Sequence, residues 1–503
     1  MRTGQDTDLA CRQTTRPHCP EVITLKVIDS HCPGCSIMCG VHIVEDGEEI
    51  DIDFQKYCPI NNGKLCKFGI DLPRIYKNCL ESPMIDGNLA GREEAIAEAA
   101  RRLNDWYHDS DGREGLVLCC GDATNEEHLA MKEFASHLGM KRASGLGHVL
   151  KAVGNTPFIH DIKNFDIVEG FEQIVLVNID PYYQYPLVAR KLQNAKRRGK
   201  KIVSIGPEGT HVEGLADDIM LCRPTDVHDR LKGYVSERSE NYTLYIASMG
   251  PYSDPTLIAE LNNACHGTNS RVFFIKDYAN TEASIIMGFN NYESGIEDII
   301  EHIEEGRINA LVLVESPLYD TYLDNERFRK ACERLKVLVV VQSLMPRDLP
   351  ANAVLVPMPA FYKRRGTLVN ACGRILDLGG YTEGLIGVLN DLNEKMRNGQ
   401  RMEFGKLSSR AREIYGRWIM EFKDYKKVPV PEHVPADNDT IHYYVVNPFL
   451  IRGMDHQLVK RANGELYDRA KERESYVLKK NVAEGVILAY QRDPRYKKMI
   501  CRY

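Results

Sequence analysis

Over 503 residues, 71 acidic and 65 basic side chains nearly balance, and the formal net charge of −6 excludes the basic face of a nucleic-acid binder. No apolar run reaches the roughly 20 residues that cross a bilayer, and the start MRTGQDTDLACRQ lacks the apolar core of a signal peptide. The expectation is a cytoplasmic protein with no direct membrane span, long enough for about three domains at roughly 150 residues each.

Residues 1–25 read as an irregular leader. Residues 26–80 form a small cysteine-rich unit, in which TLKVIDSHC and VHIVEDGEEIDIDF alternate as short strands around a loop. GREEAIAEAARRLNDWYHD is helical by period, with Ala95, Ala99, Leu103 and Trp106 on one face. Strand-helix alternation follows. GLVLCCGD, QIVLVNIDP and KIVSIGPEG are strands, and TNEEHLAMKEFASHLG is a helix opened by Thr124 and closed by Gly139. PLVARKLQNAKRRGK is a basic helix. In a second set, TLYIASMG, RVFFIKDY, INALVLVESP and KVLVVVQSL are strands, with helices at 254–264, 294–305 and 325–335. This order predicts parallel, doubly wound sheets in two tandem α/β units, about 112–235 and 240–378. Helices at 382–398 and 406–422 precede a Pro-rich linker, KKVPVPEHVPADND. The Tyr-, Lys- and Arg-rich tail 440–503 reads as a docking segment or a plain surface tail.

Fifteen cysteines is a high count for a cytosolic chain, where grouped cysteines indicate metal more often than disulfides. Eight fall in the first 80 residues: Cys11, Cys19, Cys32, Cys35, Cys39, Cys58, Cys66 and Cys79. HCPGCSIMCG followed by GKLCKFG gives the spacing C-x2-C-x3-C-x26-C. Three thiolates on one tight loop hold three corners of a 4Fe-4S cubane, and a distant fourth closes it. Gly34, Gly40, Gly63 and Gly69 suit backbone bending close to such a cluster. The alternative is a four-cysteine zinc site, but zinc ribbons favour two C-x2-C pairs and the second pair is missing. Cys58 and Cys79 compete as fourth ligand with Cys66, whose glycine context is better. Cys11 and Cys19 are spare thiols or ligands of a second metal.

The motif Cys32, Cys35, Cys39, Cys66 and the stretch RIYKNCLESPMIDG, with Arg74, Pro83 and Ile85, resemble the start of molybdopterin oxidoreductases of the formate dehydrogenase type. The likeness runs over roughly residues 27–380. It continues in Thr124-Asn125-Glu126-Glu127, in VNIDPYYQYPLVARKLQNAKRRGKKIVSIGPEGT, in LADDIMLCRPTD and in RRGTLVNACGR. The resemblance implies a cluster domain at 26–80, Rossmann-like α/β domains at 81–239 and 240–400, and a helical and extended docking tail at 401–503. It also implies two pterin guanine dinucleotides around molybdenum or tungsten, with phosphates at strand C-termini and helix N-termini. Asp180, Pro181, Thr210, Asp226, Gln342, Thr367, Asn370 and Arg374 fall at cofactor-facing positions, and Ser144 and His148 are the nearest candidates for the metal's face. The implied partners are other subunits of a redox complex, namely iron-sulfur electron carriers and a separate barrel chain.

Four departures qualify this. The C-terminal β-barrel of the family is absent, as in the B subunit of formylmethanofuran dehydrogenase and the large peripheral subunit of respiratory complex I. KRASGLGHVLKAVG has no cysteine where the family offers one, or a selenocysteine, to the metal. The ribose-binding Asp-Pro-Arg turn reads Gly206-Pro207-Glu208, and the later turn Pro224-Thr225-Asp226 has lost its glycine. The lysine two places after the last cluster cysteine is Phe68, with Lys67 one place earlier. The sequence thus supports an active subunit acting on a C1 compound such as formate or a formyl group. The alternative is a relay or scaffold with a dead pterin site. A zinc-stabilised binding module is the non-redox alternative.

Overall fold

The fold is described from a computed structural model. It covers residues 25–432 apart from 78, 155–167, 169, 180, 207–210, 223–225, 238–241, 251–252, 277, 316–324, 345, 347–348, 398–400 and 422–424, together with two short paired strands, Leu458–Lys460 and Leu466–Asp468. The leader, Cys11, Cys19, Asp180, Pro207, Glu208, Thr210, Pro224, Thr225 and nearly all of the tail 440–503 lie outside the described residues.

The N-terminal unit is a three-stranded antiparallel sheet, Lys26–His31, Gly40–Asp46 and Glu49–Asp53, in chain order. Its cysteine loop is the turn between the first two strands. Two larger sheets follow. The five-stranded one is parallel, in the order Asp218–Leu221, Lys201–Gly206, Gln173–Val177, Thr243–Met249, Arg271–Lys276. The seven-stranded one runs Asn88–Leu89, Met84–Ile85, Ala353–Pro357, Val337–Gln342, Ile308–Val314, Glu114–Leu118, Lys141–Ala143, and only its second strand, Met84–Ile85, runs antiparallel to the rest. Gln173–Val177 and Ile308–Val314 are buried along their whole length. Strands buried on both faces need a helical layer on each face.

The strands do not divide between residues 239 and 240, which corrects the tandem partition. Glu114–Leu118 pairs with Ile308–Val314, and Gln173–Val177 pairs with Thr243–Met249. The five-stranded sheet is therefore inserted within the seven-stranded one. Both sheets are nonetheless doubly wound, and their switch points are built alike. The residue after each central strand, Asn178 or Glu315, takes a positive φ of 49° or 39°. Its N–H donates to the neighbouring strand, to the Ile205 carbonyl at 2.8 Å or the Val341 carbonyl at 3.0 Å. A left-handed non-glycine residue costs of the order of 1 kcal/mol or more, and here it turns the chain outward at the strand C-termini where doubly wound sheets take ligands.

The helix Asn125–His137 enters this centre through a capping box. The Thr124 hydroxyl accepts the Glu127 N–H at 3.1 Å, and the Glu127 carboxylate accepts the Thr124 N–H at 2.8 Å. One turn on, His128 is buried against Phe289, and its Nδ1 stands 2.9 Å from the Thr124 carbonyl. Burial pulls its imidazole down to about 4. The unfolded chain, titrating near 6.5, therefore binds a proton in the window from about 6.5 to 4 that the native state refuses. Stability present above the upper limit should fall by roughly 3 kcal/mol on acidification to the lower one. Denaturant titrations at pH 7 and 4.5 check this, and His128→Gln should flatten the slope.

The helices Leu385–Met396 and Phe404–Glu421 cover Arg92–His108 and Asn125–His137. The strap beyond them is tied down: the Tyr425 hydroxyl accepts the Val272 N–H at 2.9 Å, and Asn262 and Asn263 each donate to strap carbonyls at 2.8 Å. Phe404–Glu421 and residues 425–428 thus pack on the same molecule, whereas the docking tail was expected from 401 onward.

Candidate iron-sulfur site

The loop 32–39 is pinned at both ends and in the middle. The Cys32 N–H donates to the Cys39 carbonyl at 2.8 Å, and the Met38 N–H to the Cys35 carbonyl at 3.0 Å, with Met38 at φ 52°. Between them, the Ser36 N–H donates to the Lys276 carbonyl at 3.0 Å, the Lys276 N–H donates to the Ser36 hydroxyl at 2.8 Å, and the Ser36 carbonyl accepts the Ala371 N–H at 2.7 Å. The loop is therefore docked between the C-terminal end of the strand Arg271–Lys276 and the turn of the hairpin Arg365–Val369/Ile375–Gly379. A second loop brings Cys66. Asn61 ties it to the first: its amide oxygen accepts the Gly40 N–H at 3.0 Å, and its amide nitrogen donates to the Gly40 and Lys64 carbonyls at 3.0 and 2.9 Å.

These loops gather the thiols. Burial is the largest influence on Cys32 and pushes it well up, and the thiols of Cys66 and Cys35 add to the rise. Cys39 is likewise raised by burial, then by Cys32, Cys35, Cys66 and Cys58. Cys66 is raised by burial, while N–H groups of Gly69 and Phe68 at the start of the short helix Lys67–Ile70 oppose the rise. Thiolates in such a place need the positive charge of bound iron. Backbone approach is close: a Cβ on Gly34 would stand 2.9 Å from the Cys32 sulfur and 2.7 Å from the Phe68 ring. On Gly40 it would stand 2.6 Å from the Cys58 sulfur. Cys58 couples to Cys39, and Cys79, pushed up to about 11 by burial, faces Glu315, Lys363 and Arg364 instead. Four sulfurs in a three-plus-one arrangement, with Cys32 and Cys39 buried and Cys35 and Cys66 half-buried, fit a 4Fe-4S cluster. Among the described residues, no group of three or more His, Cys, Asp or Glu is set to hold a single metal ion.

Residues 25–75 match the molybdopterin oxidoreductase Fe4S4 domain. Beyond it, the chain is similar to the F420-dependent formate dehydrogenase 2 subunit alpha of Methanococcus maripaludis, 28% identical over 267 residues, which is 44% of this chain and 37% of that protein. The F420-dependent formate dehydrogenase subunit alpha of Methanocaldococcus jannaschii is 26% identical over 326 residues, 54% of this chain and 44% of that one. The chain thus spans less than half the length of these relatives. A chain from the formyltransferase/hydrolase complex FhcABCD of Methylorubrum extorquens superposes with TM-score 0.43 at 15% identity, covering 63% of this chain and 99% of that one. Among the described residues no helix is long and apolar enough to cross a membrane.

Behind the Fe4S4 domain lies a buried polar layer that sequence reasoning did not assemble. Arg364 is fully buried, and its Nη1 donates to Glu127 and to the Asp122 carbonyl, both at 3.2 Å, with Glu315 at 3.9 Å from Nη2. Burial opposes its charge, yet Glu127 and Glu315 hold it above the ordinary arginine value. Thr367 belongs to the same layer: its N–H donates to Glu126 at 2.7 Å, its hydroxyl donates to Glu126 at 3.0 Å, and the hydroxyl accepts from Asn125 at 2.9 Å. The Asn370 amide oxygen accepts the N–H groups of Cys372 and Arg374 at 3.1 and 3.0 Å. Lys276 pairs with Glu282 with both side chains buried.

The other expected site residues are dispersed. Ser144 is buried, and both its N–H and its hydroxyl meet the Asn290 amide oxygen, at 3.0 and 3.3 Å. His148 is pulled down by burial, its Nε2 stands 3.0 Å from the Ser253 carbonyl, and its Nδ1 is buried without a partner. Pro181 is buried at the start of the short helix Pro181–Gln184. Gln342 ends a central strand with its Oε1 buried and unpartnered. Asp226 and Arg374 are exposed. One sequence signal, the Thr-Asn-Glu-Glu run, did mark the polar layer.

Proposed function

We propose that the chain is the iron-sulfur subunit of a molybdopterin-type oxidoreductase complex acting on a C1 compound such as formate or a formyl group, with Cys32, Cys35, Cys39 and Cys66 holding one 4Fe-4S cluster. The observation that carries this reading is the gathering of these four thiols in one place within the segment that matches the Fe4S4 domain. When bound, the cluster supplies one-electron transfer and a bis-pterin Mo or W centre supplies the two-electron chemistry. The chain's own residues hold the sulfurs in register through Ser36 and Asn61, and Ile37, Met38 and Phe68 keep water from them. Gln342, with its unpartnered oxygen at a strand C-terminus, is the cofactor-facing candidate best placed to receive a ligand. The remaining partners are other subunits of a redox complex.

A second reading has its own support: an electron-relay or scaffold subunit without the pterin centre. Ser144 is committed to Asn290, and Thr367 and Asn370 to internal partners, so these candidates already have structural work. Elemental analysis of the purified complex, with electron resonance after reduction, separates the readings. Iron with stoichiometric Mo or W is expected. Iron without either metal selects the relay, and zinc in place of iron ends both.

A further inference from the structure

Tyr76 closes the short helix Leu72–Tyr76 that follows the Cys66 loop. Its ring lies on Tyr362, with centroids 4.6 Å apart at 49°. The side chain is buried at 5% exposure, and its hydroxyl has no hydrogen-bond partner. Buried tyrosine hydroxyls are normally paired, and one left unmade costs about 1–3 kcal/mol. Leaving it so beside a cluster loop implies an acceptor that the polypeptide does not supply.

The groups facing this hydroxyl narrow the choice. Its titratable neighbours are Cys32, Cys79, Arg364 and Tyr362. Arg364 carries donors only, and its own Nε is buried and unpartnered. Tyr362 gives its hydroxyl to Glu45 at 2.8 Å, and its oxygen makes no hydrogen bond with Tyr76. Sulfur is the acceptor class that remains. A neutral Cys79 thiol is a weak acceptor, whereas a thiolate or sulfide of an iron-sulfur cluster carries negative charge and accepts strongly. The Tyr76 hydroxyl thus lies near Cys32 as a buried donor with no acceptor among the described residues, and the Arg364 Nε is a second such donor in its neighbourhood.

We propose that the Tyr76 hydroxyl donates a hydrogen bond to the cluster at its Cys32 corner and thereby raises the cluster's reduction potential. It rests on the cluster reading above. Reduction adds one electron to the cluster, and a donor aimed at sulfur stabilises the more negative state. Tyr76 is a positioning residue in this scheme; it neither ligates iron nor moves an electron.

The test is a redox titration of the intact complex, purified without air and followed by electron resonance. Tyr76→Phe removes one oxygen and keeps the ring on Tyr362. It should retain parent iron content while its midpoint moves to more negative potential. Incorporating 3-fluorotyrosine in place of Tyr76 makes a stronger donor and should move the midpoint the other way. A Tyr76→Phe protein with full iron and the parent midpoint overturns the proposal, since the hydroxyl then meets water or Cys79. Should Tyr76→Phe fail to load iron, the fluorotyrosine protein decides, and an unmoved midpoint there overturns it too. A parent protein without iron overturns the cluster reading instead.

Discussion

Cys35→Ala should reduce cluster iron from one full cubane per chain to near zero. Cys35 is the middle cysteine of a loop that would supply three of the four corners, and it is the thiol of that loop that is only half-buried. Its truncation leaves the Ser36 anchors to Lys276 and Ala371 in place, so the loop should keep its docking while losing one corner. A cubane short of one ligand is exposed to solvent and oxidation at that iron. The consequence reaches the fold, because a unit as small as residues 26–80 relies on metal bonds in place of a large core. Iron per chain and protease sensitivity of this segment are the measurements. Cys58→Ala is the control and should keep its iron. The reverse pattern, with Cys58 required and Cys35 dispensable, would overturn the ligand assignment.

Arg364→Met should destabilise the protein by roughly 3–5 kcal/mol, as when one partner is removed from a buried ion pair. The aliphatic stem is kept, so the loss is not one of volume. What remains is Glu127 and Glu315, both buried, with no cation between them. Glu127 also accepts the N–H groups of Thr124 and Leu385, so it is held in place and cannot turn to water. Adding Glu127→Gln to the variant should restore part of the stability, because it removes one of the stranded charges while keeping an acceptor. Denaturant midpoints of the two single variants and the double variant measure this. A loss below about 1 kcal/mol for Arg364→Met would mean that the carboxylates are satisfied without the guanidinium.

Local features were legible in the sequence and partnerships were not. The cysteine spacing marked the Fe4S4 domain because cluster geometry fixes distances along the chain. Helix periods were equally readable: the expected 254–264 and 294–305 correspond to Pro255–Cys265 and Ile296–Glu304. Which sheet a strand joins was not legible, since strands buried on both faces carry no amphipathic label. Ala353–Pro357 was overlooked because Pro350 and Pro357 around it read as loop punctuation. Thr367 and Asn370 show a subtler limit. A polar residue in a signature has the same letter whether it faces a cofactor or satisfies main chain. Arg364 was missed altogether, because a pair of arginines reads as solvated surface, and its burial depends on Glu127, a partner 237 positions away.

The interleaving of the two sheets imposes an order of synthesis. A nascent chain emerging from the ribosome presents Glu114–Leu118 long before Ile308–Val314, the neighbour that shields it, exists. The inserted sheet, complete once Arg271–Lys276 is made, can close in the interval. Until then the early strand and the helix behind it are an apolar surface awaiting cover, and such late pairing slows folding and invites aggregation. Production in a heterologous host should therefore depend more on chaperone supply and slow translation than on the stability of the finished protein.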